Sequence, residues 1–470
     1  MPPTSTVELD LTRLDHNIAQ IRRIIGSQVR LCCVLKADGY GLGAPRIAQR
    51  MESLGVDMLA VYTPDQALQL VTAGISRTPI LVFMPLDDLD RTNPLYRSLI
   101  SGRLHCVVHD EAHLDRLARL GHRYGCSVPV HVEIDTGMSR GGIAPQQAGA
   151  VLQTIQQNRY VRLAGLLTHY ANADNGRETT IQQLDAFQAF LNDHAAMIPT
   201  DCTVHSAGTH AMFRFPQTHQ QMVRIGLAWA GYGPDDEDMQ HPETGEMQAA
   251  SSSSHFLPIA RWRSSIVHVK RIEAETPVGY GWTWKARRPT RIGLVPVGYA
   301  DGYPVALSNR AMVMVRTLDD QWYPAPVIGR VSMDQMTIDL TDFAPEQIIL
   351  GSEVELFGCQ RDAPNDVPML AQQSDSIMYE LLCRLSPRIP RVYRIFEKSP
   401  EPCRSDQKAQ TDPCRTRDDA QSDSNPAVAR CSCLEGKRKD TGGGRHVSTH
   451  GRVAGGIRRD HSCPTGSDSG

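Results

Sequence analysis

A single lysine stands where an apolar segment gives way to a glycine-rich turn. Residues 31–35 are apolar and few enough to form one buried strand of a parallel sheet, and Lys36 follows directly. Gly39, Gly41 and Gly43 then allow the backbone to turn tightly and to approach a ligand closely. A lysine at such a strand end can be desolvated, lose its proton and attack a carbonyl to form a Schiff base. The alternative is a lysine whose stem covers the strand end while its ammonium stays in water.

Lys36 opens a series of short apolar runs that alternate with amphipathic helical patterns. These runs span residues 31–35, 58–61, 79–83, 104–108, 128–134, 163–168, 202–206 and 222–227. Eight such repeats predict a (β/α)8 barrel, in which side chains at the carboxyl ends of the strands carry the chemistry. A doubly wound sheet needs fewer strands and a phosphate loop at its first turn, and the lysine here is misplaced for such a loop.

The second half of the chain has a different pattern. Apolar and polar residues mix in short runs at 265–271, 291–297, 311–316, 327–338 and 352–357, with one helix at 376–385. Glycine and proline separate the runs, which predicts a mostly antiparallel β domain. We therefore expect an α/β protein with a barrel over residues 1–235, an acidic and serine-rich linker over 236–258, and a β domain over 259–396. Residues 397–470 contain no Phe, Trp or Tyr, and we expect a disordered tail there.

Composition excludes several classes of protein. The net charge of −3 on 470 residues gives no signal for nucleic-acid binding, and no apolar run of about 18 residues predicts a membrane span. The N-terminus lacks the features of a secretory signal. Cysteines scattered through apolar segments fit reduced thiols, so we expect a cytoplasmic protein. Cys431 and Cys433, with His446 and His450, fit no common zinc spacing, and we expect no metal.

The segment VLKADGYGLG, residues 34–43, resembles the cofactor-lysine segment of alanine racemases, which are fold-type III enzymes that use pyridoxal 5'-phosphate (PLP). The resemblance extends over residues 7–396 with its motifs in the same order. The further segments that resemble the family are DTGMSR (135–140), THYANAD (168–174), VHSAGT (204–209), VRIG (223–226), TPVGYG (276–281), GYADGYP (298–304), GRVSMDQ (329–335) and YELLC (379–383).

This resemblance implies that the protein interconverts L-alanine and D-alanine and supplies D-alanine for peptidoglycan synthesis. Lys36 would bind PLP and act as one base, and Tyr280 would act as the second base on the opposite face of the α-carbon. Arg224 would face the pyridine nitrogen of PLP. Because a guanidinium stays protonated, that nitrogen would remain largely unprotonated, which disfavours transamination. The other residues that the resemblance assigns to the cofactor are Tyr40, His169, Ser206, Gly226, Leu227 and Tyr379.

The resemblance also implies where an amino-acid substrate binds. Arg140 would support the substrate carboxylate, and Met333 would contact the substrate through its backbone. Tyr299 would border the access channel, and Asp334 stands beside Met333 in a supporting position. The family's dimer is head-to-tail, so Tyr280 and Met333 are expected to complete the site of the other subunit.

Several positions depart from the family pattern. Glu133 stands where many alanine racemases have a carbamylated lysine, and we hypothesise that Glu133 itself supplies the carboxylate that holds Arg140 through charge-assisted hydrogen bonds. Because glutamate is shorter than a carbamylated lysine, the backbone or a water must close the gap. His205 stands where asparagine is usual, so the phosphate pocket aligns poorly. Valine replaces the last arginine of the GYADGYPR segment, at Val305, and Ser332 replaces a cysteine.

Three other functions deserve comparison with an alanine racemase. A fold-type III decarboxylase of basic amino acids carries a catalytic cysteine near the region of Ser332, so Ser332 and the segment around Tyr280 argue against it. A non-catalytic PLP carrier built from the barrel alone would not need Tyr280 or Met333. A racemase of broader specificity stays open, because serine differs from alanine by one hydroxyl and such pairs are discriminated only modestly.

Overall fold

The computed structural model describes residues 3–233 and 256–396 of the chain. The strands are β1 Ser5–Asp10, β2 Arg30–Val34, β3 Met58–Val61, β4 Ile80–Val82, β5 Leu104–Val108, β6 Val128–Glu133, β7 Val161–Leu167, β8 Thr203–His205, β9 Met222–Ile225, β10 Ala260–Ser265, β11 His268–Ile272, β12 Pro277–Val278, β13 Trp284–Lys285, β14 Thr290–Val295, β15 Met312–Arg316, β16 Trp322–Ile328, β17 Met336–Asp339, β18 Glu353–Phe357 and β19 Arg391–Arg394. The helices are α1 Leu11–Ile25, α2 Lys36–Tyr40, α3 Ala44–Ser53, α4 Pro64–Thr72, α5 Leu95–Ile100, α6 Glu111–Tyr124, α7 Pro145–Gln157, α8 Arg177–Asp193, α9 Thr209–Arg214, α10 Val367–Gln373 and α11 Met378–Cys383. Of the expected linker only residues 256–258 are described, and the expected tail lies outside the described residues.

The eight predicted barrel strands form a parallel sheet in the order β8-β7-β6-β5-β4-β3-β2-β9. The two end strands meet across the seam, where Gln221 N–H donates to Val204 O over 3.0 Å and Arg224 N–H donates to Ala207 O over 2.9 Å. Strands such as β3 are buried at every residue, which explains why they are continuous apolar runs. The (β/α)8 barrel prediction is confirmed.

The helices around the barrel follow from local sequence signals, as α6 illustrates. The Asp110 side chain caps its first turn by accepting from His113 N–H over 2.6 Å. Leu114, Leu117 and Leu120 lie on one face and are buried. Gly125 then ends the helix with φ +65°.

A nine-stranded sheet, β11-β14-β17-β16-β15-β18-β10-β1-β19, forms the second domain. Its pairings are antiparallel except β1 with β19, so the prediction of a mostly antiparallel domain is confirmed. The N-terminal strand β1 lies in this sheet, whereas we expected residues 1–235 to form the barrel. Its burial alternates along the strand, as expected for a sheet that packs on one face, whereas a barrel strand is buried on both.

Two predicted strands of this domain are each divided in the structure. The run 265–271 is split between β10 and β11, because the chain changes neighbours there: Ile266 N–H donates to Ser352 O and Val267 N–H donates to Leu294 O. The run 327–338 contains the end of β16, a loop, and β17. Gly329, with φ +72°, turns the chain out of β16, and the following loop carries Met333. The predicted helix 376–385 is the shorter α11.

The second domain holds the loop that follows Lys36. Arg391 of β19 donates to Gly41 O from Nε (3.0 Å) and Nη2 (2.7 Å), and Tyr393 Oη donates to Leu42 O over 3.1 Å. A Cβ added to Gly41 would lie 2.3 Å from Leu382 O of α11, so only glycine permits this approach. Within the described residues, no helix is both long and apolar enough to cross a membrane.

Candidate active site

Lys36 is followed by a left-handed turn at the carboxyl end of β2, because the short segment α2 does not have the right-handed backbone of an α-helix. Ala37, Asp38, Gly39 and Tyr40 all have φ between 53° and 61°, a region that L-residues other than glycine rarely adopt. The Asp38 carboxylate stabilises the turn by accepting from Ala44 N–H over 2.8 Å, at the start of α3. Consecutive left-handed residues cost free energy, and such strain is typical of functional loops.

The amine of Lys36 lies at the mouth of the barrel among groups that disfavour its charge. Loss of solvation lowers its pKa, and the positive charge of Arg140 lowers the pKa further, while Cys383 opposes the change. Arg140, which follows β6, is therefore near enough for its charge to act on Lys36. A lysine with a lowered pKa is a competent nucleophile and base nearer neutral pH.

A second group of residues lies beside Lys36. We call this group of possible hydrogen-bond donors the cradle, and it consists of Tyr40, Gly226, Leu227 and Tyr379. The ring of Tyr40 stacks on Trp229 with centroids 5.8 Å apart and meets the edge of Tyr379 at 5.3 Å. A Cβ on Gly226 would lie 2.4 Å from Tyr40 Oη, so the glycine permits this approach. Burial raises the pKa of the Tyr379 hydroxyl to about 12, and the neighbouring backbone of Leu227 opposes this shift.

Ser206 and Thr209 occupy different surroundings. The Ser206 hydroxyl is fully buried, donates to Thr218 O over 2.8 Å and accepts from Tyr170 over 3.0 Å. The structure therefore does not bring Ser206 into the cradle. Thr209 Oγ1 instead accepts from Gly226 N–H over 3.3 Å. Sequence reasoning missed Thr209, although it ends the same VHSAGT segment and follows a glycine.

Arg224 projects from β9 and is 5% exposed. Its Nη1 donates to His205 Nδ1 and to His205 O, both over 2.9 Å. Its Nη2 donates to Thr168 O over 2.8 Å and to Ser206 O over 3.1 Å, and lies 3.3 Å from His169 Nδ1. Among the described residues these bonds use Nη1 and Nη2 only, which leaves Nε–H as a donor.

His169 and Arg224 share this end of the site. Burial lowers the pKa of His169 to about 3, with further contributions from the charges of Arg224 and Arg140. The imidazole is therefore neutral, and its Nδ1 can accept from Arg224. The predicted residues Lys36, Tyr40, Arg140, His169, Arg224, Gly226, Leu227 and Tyr379 thus lie together at the carboxyl mouth of the barrel.

Glu133 pairs with a residue that sequence reasoning missed. Its Oε2 lies 3.1 Å from His109 Nδ1, and both side chains are less than 20% exposed. No ion pair or hydrogen bond joins Glu133 to Arg140 directly among the described residues, and the hypothesis that Glu133 holds Arg140 across a gap stays a prediction. His109 directly follows the neighbouring strand β5 and is the partner of the Glu133 carboxylate in place of Arg140.

The predicted residues of the second domain lie on an exposed group of loops. Tyr280 is 69% exposed, Met333 54% and Tyr299 46%. Tyr299 N–H donates to Ser332 O, and Ala300 N–H to Met333 O, both over 3.0 Å. No hydrogen bond or ion pair joins any of these three side chains to Lys36 within the described part of the chain.

One arginine ties these loops together. Arg388 donates from Nε to Asp301 Oδ1 over 2.7 Å and from Nη2 to Asp334 Oδ1 over 2.8 Å. Asp301 in turn accepts from Gly298 N–H over 3.0 Å, next to Tyr299. The supporting role of Asp334 stays a prediction, and the sequence did not single out Arg388, which holds Asp334 and Asp301 together.

Comparison with known proteins agrees with this geometry. The family model "Alanine racemase, N-terminal domain" matches residues 9–234, and "Alanine racemase, C-terminal domain" matches residues 259–393. An alanine racemase of Halothermothrix orenii is 33% identical over 390 residues, which are 82% of this chain and 96% of that protein.

Solved structures give the same result. An alanine racemase from a D-cycloserine-producing Streptomyces lavendulae has a TM-score of 0.73 and 27% identity, covering 84% of this chain and 98% of its own. An alanine racemase from Bartonella henselae with covalently bound pyridoxal phosphate has a TM-score of 0.68, covering 84% and 100%. At 24% identity it supports the fold alone. Both halves of the fold and the order of the motifs agree, and the chain belongs to the alanine racemase family.

Proposed function

We propose that the protein interconverts L-alanine and D-alanine with PLP, as a two-base racemase in which Lys36 and Tyr280 serve opposite faces of the α-carbon. The observation that carries this proposal is Lys36 directly after β2, where loss of solvation and the charge of Arg140 lower the pKa of its amine. The family to which the chain belongs supports the same reaction.

The residues at the mouth fit PLP. Lys36 would hold the cofactor covalently, and the Nε–H of Arg224 suits an acceptor such as a pyridine nitrogen. Hydroxyls of Tyr40, Tyr379 and Thr209, with the backbone at Gly226 and Leu227, offer the donors that a phosphate needs, and we assign Thr209 this role in place of Ser206. When bound, PLP draws electron density from the substrate and so acidifies the bond between its α-carbon and hydrogen.

The chain's own residues would then move the proton. Racemisation removes a proton from one face of the α-carbon and delivers one to the other, which two bases on opposite faces accomplish. Lys36 Nζ would serve one face and the phenol oxygen of Tyr280 the other. Arg224 stays cationic and donates only, so it withholds a proton from the pyridine nitrogen and favours return of the proton to the same carbon.

The substrate carboxylate would bind Arg140, which has no bond to another described side chain and whose charge acts on Lys36. The backbone of Met333 would hold the substrate from the other side. The rings of Tyr379 and Tyr299 would restrict the side chain to a small one, which suits alanine.

We further propose that the site is completed by a second copy of this chain in a head-to-tail homodimer. Tyr280 and Trp282 are 69% and 71% exposed, and Met333 is 54% exposed. Such large apolar side chains on one set of loops are typical of an interface. Tyr280 is the proposed second base, yet its side chain faces solvent in the single chain. A dimer explains this exposure if Tyr280 faces Lys36 of the partner subunit. A reducing, cytoplasmic setting is consistent with the seven cysteines of the described residues, all of which are free.

The function is tested by following circular dichroism of the holoenzyme with L-alanine, L-serine and L-lysine. We expect the signal to decay to zero fastest with L-alanine, with both enantiomers present at the end. Fastest decay with L-serine or L-lysine would keep the mechanism and change the substrate. Release of carbon dioxide without racemisation would instead indicate the decarboxylase.

A further inference from the structure

The Nδ1 atom of His109, next to the loop that carries Arg140, has two partners that compete for it. His109 Nδ1 lies 3.1 Å from Glu133 Oε2 and 3.1 Å from the backbone nitrogen of Gly142. The other ring nitrogen, Nε2, lies 2.7 Å from Phe83 O. Because a carbonyl only accepts, Nε2 carries a proton in every state of the ring.

The two contacts of Nδ1 exclude each other. When the ring is a cation, Nδ1–H donates to Glu133 and cannot accept from Gly142. When the ring is neutral, Nδ1 has a lone pair that accepts the Gly142 N–H, and the Glu133 carboxylate faces that lone pair without a proton between them. The proton of His109 therefore decides whether the charge of Glu133 is compensated.

This pair lies directly against the segment that follows Arg140. A Cβ on Gly141 would be 3.1 Å from His109 Nδ1, and one on Gly142, with φ +93°, would be 3.0 Å from Glu133 Cγ. The backbone is tied at the same place, because Ile143 N–H donates to Glu133 O over 2.8 Å. Two consecutive glycines thus let the pair reach the base of the loop.

Other charged groups face the pair from the elements around it. His113 of α6 stacks on His109 with ring centroids 6.5 Å apart, and Asp110 lies at the start of the same helix. Burial opposes a charge on His109, but the bonds to Glu133 and Phe83 outweigh it, with help from Asp110, and raise its pKa.

Glu133 faces further cations in turn. Burial opposes its charge as well, but the hydrogen bond and charge of His109, and then the charge of Arg224, favour it and lower its pKa. Both shifts act in the direction that keeps the pair ionised near neutral pH.

We propose that His109 is a positioning residue whose cation cancels the charge of Glu133 and so leaves Arg140 free to bind the substrate carboxylate. Loss of the His109 proton leaves an uncompensated carboxylate beside the site, which repels an anionic substrate and attracts Arg140. This inference rests on the proposed function, in which Arg140 binds that carboxylate. It assigns the pH dependence of substrate binding to two residues outside the catalytic pair.

The probe is propionate, which has the carboxylate of alanine and no amine that titrates. Its inhibition constant against alanine racemisation is measured on the holoenzyme between pH 6 and pH 9. For the unaltered protein we expect the inhibition constant of propionate to rise about tenfold, in a single step, as pH increases. A change of this size is expected when one charge interaction is lost.

Two variants have opposite expected effects. Glu133→Gln removes the carboxylate, so propionate is expected to bind tightly at every pH. His109→Gln removes the cation, so propionate is expected to bind weakly at every pH, and the double variant is expected to match Glu133→Gln. The exposed His122 of α6 provides the control, because His122→Gln is expected to keep the original curve. Cofactor absorbance in each variant reports that the barrel mouth is intact.

A merely structural role would weaken binding in both single variants and leave the pH dependence in place, and that result would overturn the proposal. If His109→Gln does not fold, the isosteric variant Glu133→Gln still tests the proposal by itself. An inhibition constant that still rises with pH in Glu133→Gln would contradict the proposal. If the holoenzyme does not racemise alanine, the proposed function fails and this inference fails with it. If it racemises alanine but propionate does not compete, the inference alone fails. Competition with a flat curve in the unaltered protein overturns only the role of His109.

Discussion

Arg224 Nη1 lies 2.9 Å from His205 Nδ1, and this bond sets the direction of a chain of buried imidazoles. His205 Nε2 lies 2.8 Å from His131 Nδ1, and His131 Nε2 lies 2.9 Å from His105 Nδ1. Because an arginine only donates, each imidazole must accept at Nδ1 and donate from Nε2. Burial keeps all three neutral: it lowers the pKa of His105 to about 4 and places those of His131 and His205 well below the usual value.

Breaking this chain in the middle is expected to destabilise the protein. His131→Leu leaves the Nε2–H of His205 without its acceptor inside the barrel, and a buried unsatisfied donor costs about 1–3 kcal/mol. Denaturant unfolding of the variant measures the loss. The exposed His268 of β11 provides the control, since His268→Gln is expected to change stability by less than about 0.5 kcal/mol.

Gly165→Ala tests the same chain without changing a histidine. Its Cβ would lie 2.2 Å from His131 Nδ1, so the ring must move. A variant as stable as the unaltered protein would contradict the importance of this packing.

The cradle predicts unequal effects for two glycines at the barrel mouth. In Gly226→Ala the new Cβ would lie 2.4 Å from Tyr40 Oη and 3.2 Å from its Cζ, so the tyrosine must shift. We expect PLP affinity, measured by absorbance titration, to fall about tenfold or more, as 1.4 kcal/mol of strain would require. In Gly208→Ala the nearest atom is 3.8 Å away, and we expect affinity close to that of the unaltered protein. Equal losses in both variants would argue against the cradle.

The His109–Glu133 pair predicts a stability window. The folded-state pKa of His109 is raised, so its contribution is complete below the unfolded pKa of about 6.5 and is lost as pH rises through the higher folded value. The folded-state pKa of Glu133 is lowered, so its contribution is present above about 4.3 and is lost as pH falls through the lower folded value. The free energy of unfolding of the unaltered protein, minus that of Glu133→Gln, should therefore be largest between these two limits. A difference that does not vary with pH would contradict the pairing.

The tail after the second domain is predicted to be dispensable. Phe396 is anchored where the described chain ends, because its N–H donates to Thr12 Oγ1 over 2.8 Å and its carbonyl accepts from the same hydroxyl over 3.2 Å. A chain ended after Lys398 keeps this anchor. We expect unchanged racemase activity and melting temperature, and reduced activity would show that residues 399–470 contribute to function.

The barrel strands were predicted correctly from the sequence because one signal, hydropathy, marks all of them. The barrel strands are buried on both faces and are therefore continuous apolar runs, so all eight could be located from hydropathy alone. β1 could not be assigned in this way, because its partners β10 and β19 lie more than two hundred residues further along the chain. Pairing over such distances is not encoded in any local pattern.

The site residues also divide into those that a local sequence pattern predicts and those that depend on distant parts of the chain. Lys36 and Arg224 follow apolar runs and carry recognisable motifs, and the structure brings both to the barrel mouth. Ser206 and Thr209 are only three positions apart, and the turn between them decides which hydroxyl reaches Gly226. The partner of Glu133 directly follows the neighbouring strand β5, so His109 could be found only once the strands were in register.

The most direct test of the account mixes two variants that are each defective. Lys36→Ala and Tyr280→Phe are each expected to lower racemase activity by about 10²–10⁴-fold, because each removes one base. If the site takes Lys36 from one subunit and Tyr280 from the other, every mixed dimer contains one intact site. Co-expression of the two variants should then restore about a quarter of normal activity under random pairing of subunits. Activity no higher than the average of the two variants alone would contradict a site shared between subunits.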